Sequence, residues 1–266
     1  MINFNSLIIK KLTSIFLKKS KIELNQKINL FASSQCNLLT RENSFLPEIV
    51  IPCFNHGKYL ADALSSINID IPITVVDDAS TDETPLIISE LKKQYRFKLI
   101  SNRKNLNQSG SINKAISESD NNLFIILNAD DVFLPYAISI VIDTYKRFSD
   151  VRLVGAGNIW FTHIDTKSYI RNFPNKLDYL PNPIIKGPDD AKRFYKMSDL
   201  NMSMSGSSFL KSAWLQVGGF YEYEHRVCPY DDRDFQMRVC SVFQTLLFDE
   251  PFILYRLNSS TGKAQS

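Results

Sequence analysis

Residues Phe124 to Pro135 read FIILNADDVFLP. Four apolar residues run directly into Asn128, Asp130 and Asp131, and Pro135 closes the stretch. A short apolar run without polar alternation, bounded by turn formers, has the pattern of a strand buried on both faces, as in a parallel sheet. The two adjacent carboxylates at its end repel each other and lose hydration against an apolar edge. A positive partner is therefore expected beside them.

The flanking segments repeat the pattern. Upstream, EIVIPCF (48–54) and PITVVDDAS (72–80) are β-branched strands that end in Asn55 and in Asp77 with Asp78. Between them, Leu60, Ala63, Leu64 and Ile67 recur at helical spacing. TDETPLIISELKKQYR (81–96) is a second helix, with Ser80 or Thr81 as its expected cap and acids in its first turn. FKLISN (97–102) is a third strand, and SGSINKAISES (109–119) a helix. After the opening stretch come a helix, PYAISIVIDTYKRF (135–148), and a strand, VRLVGAG (151–157). Alternating strands and helices predict an α/β domain with a mostly parallel sheet. Ligands bind such sheets beyond the carboxyl ends of the strands. The polar strand ends at 55, 77–78 and 128–131 would converge there.

Beyond residue 158 the periods are less regular. GSSFLKSAWLQVGGF (206–220) predicts a helix ending near Gly218 and Gly219, YDDRDFQMRVCSVF (230–243) an acidic turn entering a helix, and TLLFDEPFILYRLN (245–258) one or two short strands. The boundaries expected are a basic helical extension over 1–45, a first half over 46–150 and a mixed second half over 151–266.

The 266 residues are 44% hydrophobic and 22% charged, ordinary for a globular protein, and the net charge of +3 makes no case for nucleic acid. Cys36, Cys53, Cys228 and Cys240 lack zinc or redox spacing and read as reduced thiols of a cytoplasmic protein. No apolar run reaches the roughly 20 residues that span a bilayer. SLIIKKLTSIFLKKSK (6–21) combines Leu7, Ile8, Leu12, Ile15 and Phe16 with interleaved lysines. Two readings stand: a helix lying peripherally on the anionic inner face of a membrane, or one packed on the body of the protein.

Five segments, IVIPCFNHGKYLADALSSI, TVVDDASTDET, ILNADDVFLP, SSFLKSAWLQVGGF and YDDRDFQMR, occur in the order seen in glycosyltransferase family 2, and the resemblance covers residues 46–256. It implies a GT-A fold, a nucleotide-sugar donor (UDP by default), a divalent Mn²⁺ or Mg²⁺, and inversion at the anomeric carbon. By the same resemblance Pro52, Phe54, Asn55, Asp78, Asn105, Asn113 and Asn128 contact the nucleotide. Asp130 is the metal ligand, with Asn258 as a second candidate, and Asp131 is expected to cap the helix starting near Leu134. Gly206, Ser207, Ser208 and Asp231 border the donor sugar and acceptor. Asp232 is the catalytic base, and Asp234 is tied into the fold, with Arg238 one turn away.

Several positions depart from the family pattern. Asn128 stands where many relatives have Asp, Asn107 where glycine is common, Ile112 where a basic residue is frequent, Asp231 where Glu is usual, and Asn258 where His is frequent. The implied acceptor is a glycan or a lipid-linked glycan of a bacterial surface polymer, of lipopolysaccharide or capsule type. Two other functions stand beside transfer: a non-catalytic nucleotide- or glycan-binding relative, which Asn128 and Asn258 suggest, and a sugar nucleotidyltransferase, whose glycine-rich phosphate loop is missing from IPCFNHGKY.

Overall fold

The computed structural model describes residues 46–162, 165–177, 181, 183–190, 202–222 and 231–257. All of them belong to one compact unit, Phe45–Ser266. The lysine-rich N-terminal segment, Cys36, Cys228, His163, His225 and Asn258 lie outside the described residues.

The first half follows the expected alternation. Strand β1 (Glu48–Cys53) leads to helix α1 (Gly57–Ser65), β2 (Ile73–Asp77), α2 (Thr84–Leu91), β3 (Lys98–Ser101), α3 (Asn107–Ser117) and β4 (Leu123–Ile126). The pairs β1–β2, β2–β3 and β1–β4 are all parallel. Apolar residues face both ways. Ile49, Ile51, Val75 and Ile125 enter one core, and Val50, Val76, Phe124 and Ile126 the other. That two-sided burial explains the unbroken apolar run in β4.

The order β3-β2-β1-β4 reverses direction between β1 and β4. A crevice opens at such a reversal, because the connections leave on opposite sides of the sheet.

The second half continues the same sheet. It contains β5 (Val132–Phe133), α4 (Ala137–Arg147), β6 (Val151–Phe161), α5 (Thr166–Ile170), β7 (Ile184–Lys186), β8 (Ser208–Leu210), α6 (Lys211–Val217), α7 (Asp231–Cys240) and β9 (Gln244–Arg256). Strand β8 lies antiparallel between β4 and β6, β6 pairs with β9 in parallel, and β9 pairs antiparallel with β5 and β7. Two antiparallel steps leave β6 running in the same direction as β4. Helices α6 and α7 cover this half through Phe209, Phe220 and Phe235, the last two stacked with centroids 4.0 Å apart. The whole is an α/β GT-A architecture.

Three local expectations are corrected. Helix α2 starts at Thr84, not at Ser80 or Thr81, because the Asp77 carboxylate accepts the Ser80 N–H and Asp82 accepts that of Thr84. Asp131 does not cap α4: it is 1% exposed, and its Oδ1 accepts the Arg256 N–H at 3.0 Å. In place of one or two short strands, Gln244–Arg256 forms one long strand, β9, bent by register shifts opposite Ala156–Asn158. Helix α6 ends at Gly218, whose φ of +81° suits glycine, and Asp234 pairs with Arg238 at 2.6 Å as the spacing predicted.

Candidate active site

A cavity of about 440 Å³ opens at the β1/β4 reversal. Its walls combine the end of β1 (Pro52, Cys53, Phe54), Asp78 after β2, Gln108 and Ser111 of α3, Asn128 and Asp130 after β4, and Tyr255 and Arg256 at the end of β9. Polar strand ends thus converge as expected for a parallel sheet.

Asp78 is 3% exposed. Its Oδ1 accepts from Asn102 Nδ2 and from the Leu106 N–H, both at 2.8 Å. Asn102 in turn accepts from Lys114 at 2.9 Å. Asp78 therefore orders the loop that enters α3 and also lines the cavity. That loop turns sharply through Asn105, whose side chain accepts the Asn107 N–H, and Asn107 sits at φ +60°. This left-handed conformation is why glycine suits the position and asparagine is tolerated.

The Asn128 side chain crosses the cavity to α3, its Oδ1 accepting from Gln108 Nε2 at 2.7 Å. A neutral amide pair stands here.

Behind Asp130 lies Arg256. Its Nε–H donates to the Asp130 carbonyl at 3.0 Å, its Nη2 approaches Asp62 at 3.3 Å, and its guanidinium lies over the rings of Tyr59 and Phe161 at 4.4 and 4.5 Å. Its side chain is 11% exposed. A permanent cation thus stands behind the acidic pair. Even so, burial and the charge of Asp130 push the Asp131 carboxyl well above the usual carboxylate range, and the Arg256 N–H, Ser205 and the Arg256 charge pull it down less strongly.

The Tyr255 phenol is also raised, by burial first and then by the charges of Asp131, Asp130 and Asp232. Asp232, near the start of α7, is thereby within electrostatic reach of the cavity wall. Its Oδ1 accepts the Arg233 N–H at 2.7 Å.

Not every expected residue reaches the cavity. Asn55, at φ +55°, is occupied in tying strand ends together: its N–H donates to Ser80, and its side-chain amide exchanges hydrogen bonds with Thr81. Asn105 serves the turn before α3. Asn113, expected at the nucleotide, is bonded within the fold and does not line the cavity. Its Oδ1 accepts from Trp214 Nε1 and the Phe220 N–H, and its Nδ2 donates to the Phe220 carbonyl and Glu222, which fills its bonding capacity.

Ser207 and Ser208, expected to border the donor sugar and acceptor, are 1% and 0% exposed. The Ser207 hydroxyl donates to the Ser203 carbonyl at 2.6 Å. Gly206, at φ +86°, packs on Ile253, which an added Cβ would meet at 2.7 Å. The Asp231 backbone opens α7. Gln108, Tyr255 and Arg256 were not foreseen. The signal for Arg256 was a lone cation ending the apolar strand FILYR, the counterpart of carboxylates ending FIILNADD.

Among the described residues no three His, Cys, Asp or Glu side chains gather to hold an ion. Asp130 on the wall fits a different arrangement. Mg²⁺ and Mn²⁺ often take one or two protein carboxylates and complete their shell with phosphate oxygens and water.

The sequence model described as glycosyl transferase family 2 matches residues 48–204. The chain belongs to glycosyltransferase family 2. It is 33% identical over 122 residues to the dolichyl N-acetyl-alpha-D-glucosaminyl phosphate 3-beta-D-2,3-diacetamido-2,3-dideoxy-beta-D-glucuronosyltransferase of Methanococcus voltae, covering 42% of this chain and 38% of that protein. It is 28% identical over 102 residues to the poly-beta-1,6-N-acetyl-D-glucosamine synthase of Staphylococcus epidermidis, covering 37% and 25%.

This family 2 chain spans 25–38% of the length of the curated relatives it first matches. Among solved structures, S. aureus TarS 1–349 in complex with UDP-GlcNAc superposes with a TM-score of 0.63 at 13% identity, over 83% of this chain and 61% of that 1–349 chain. That likeness is one of fold.

Proposed function

We propose that this chain is an inverting glycosyltransferase that moves a sugar from a nucleoside diphosphate sugar, with UDP as the default nucleotide, to a hydroxyl of a glycan or lipid-linked glycan. The observation that carries the proposal is the cavity at the β1/β4 reversal, with Asp78, Asn128 and Asp130 on its wall and Asp232 in electrostatic reach of Tyr255.

In this mechanism Pro52 and Phe54 border the base and ribose, and Asp78 accepts a hydrogen bond from the base. Asp232 takes the proton from the acceptor hydroxyl. That oxygen attacks the anomeric carbon opposite the diphosphate, and the bond from the sugar to the diphosphate breaks. Asp130 would hold a divalent cation, which stabilises the negative charge growing on the leaving group. Arg256 keeps the Asp130 backbone in place during this step.

The names of the relatives support a surface-polymer role, since one assembles a poly-N-acetylglucosamine and another acts on a dolichyl-linked sugar. No described helix is long and apolar enough to cross a membrane. The lysine-rich segment over 6–21 supports a site of action at the cytoplasmic face of the plasma membrane, as a peripheral contact with anionic lipid.

Thermal unfolding with UDP, GDP and dTDP, each with and without Mn²⁺, tests the proposal. One nucleotide at 100 times its dissociation constant stabilises the wild type by about 2.7 kcal/mol. That shift requires Mn²⁺ and is lost in Asp130→Ala. A metal-independent shift favours metal-independent or non-catalytic binding. No shift with any nucleotide refutes the donor site.

A further inference from the structure

The donor cavity leaves open where the acceptor rests, and one exposed aromatic residue answers. Trp160 is 65% exposed although indole is among the costliest side chains to leave in water. Single exposed apolar residues are common and carry no message by themselves. The position of Trp160 does carry one. It lies at the C-terminal end of β6, which runs in the direction of β4, and so at the sheet edge where the cavity opens.

Trp160 is the ladder partner of Tyr255 on parallel β9. Partners on adjacent strands project from the same face, roughly 4.8 Å apart. Tyr255 is itself part of the cavity wall and feels the charge of Asp232. The next pair alternates as it should: Phe161 faces Arg256, whose guanidinium covers its ring on the opposite side. Asn158, two residues before Trp160, shares the Trp160 face.

We propose that Trp160 and Tyr255 form the platform on which the pyranose ring of the acceptor lies, with its nucleophilic hydroxyl turned toward Asp232. This rests on the transferase reading above and specifies its acceptor. A pyranose has an apolar C–H face that buries against a flat ring and a rim of hydroxyls that needs polar partners. The surface offers both, one exposed indole flanked by the Asn158 amide and the Tyr255 phenol. A lipid tail would need an extended apolar strip, and the Asn158 side of the platform interrupts one. The ring recognised is therefore the sugar at the growing end, whatever carries it.

The test is calorimetric titration of the full chain, loaded with UDP and Mn²⁺, with octyl glycosides below their micellar concentration. Octyl glucoside, galactoside and N-acetylglucosaminide are compared with octyl phosphate, which keeps the tail and lacks the ring. At least one glycoside is expected to saturate. Its dissociation constant rises more than ten-fold in Trp160→Ala and stays within about three-fold of wild type in Trp160→Phe. Leu215→Ala, an exposed apolar residue on α6, serves as the control and leaves it unchanged. Equal binding by Trp160→Ala, binding of octyl phosphate alone, or no glycoside binding to a protein that does bind UDP overturns the platform and leaves the transferase reading standing. Absence of UDP binding to the wild type overturns both.

Discussion

At the residue scale, the acidic pair after β4 divides its labour by burial. Asp130 reaches the cavity, whereas Asp131 turns inward and accepts a backbone N–H from Arg256. A carboxyl held in that position keeps its proton to higher pH than it does in the unfolded chain, rising from 3.8 to about 8. The unfolded state then loses its proton first. The stabilisation from Asp131 is complete below about pH 4 and declines as pH rises toward 8. Melting temperatures in chelator-treated buffer should fall across that window, and Asp131→Asn should flatten the slope. An unchanged slope would mean that Asp131 is ionised in the folded protein.

Helices α3 and α6 are joined through one amide. Asn113 bonds Trp214, the Phe220 backbone and Glu222 together, close to Gly219, where an added Cβ would lie 2.9 Å from Asn113 Oδ1. Removing that amide leaves partly buried partners unsatisfied, at roughly 1 kcal/mol or more. Asn113→Ala is therefore expected to lower the urea midpoint by an amount of that order. Nucleotide affinity of the protein that remains folded should change by less than about three-fold, since Asn113 lies outside the cavity wall. A selective loss of nucleotide affinity with unchanged stability would return Asn113 to the nucleotide site.

For the whole molecule, the sheet brings strand ends of the first half and the end of β9 from the second to one cavity. Strand β9 makes the join: its far end carries Tyr255 and Arg256 to the cavity, and α7 immediately precedes it with Asp232. If Asp232 is the base, Asp232→Asn should reduce transfer by about 10²–10⁴-fold, read as sugar incorporated into acceptor. The Mn²⁺-dependent thermal shift with UDP should persist. Transfer at the wild-type rate would remove Asp232 from the mechanism.

The amino-acid sequence by itself determined the alternating elements, the buried parallel strands and the polar strand ends, because these follow from local periodicity and from the cost of burying carboxylates. Runs such as IVIPCF and FIILN admit little else, and the Asp234–Arg238 pair follows from helical spacing alone. Only the tertiary structure decided which polar residues face the cavity. Asn55, Asn113, Ser207 and Asp131 match family positions or cap signals in sequence, yet each is occupied by partners 25 to 125 residues away or is buried. Arg256 and Trp160 are the converse. A cation ending the apolar run FILYR hints at Arg256 but does not say what it faces, and nothing local marks a lone indole; their positions are set because β6 and β9 pair in register.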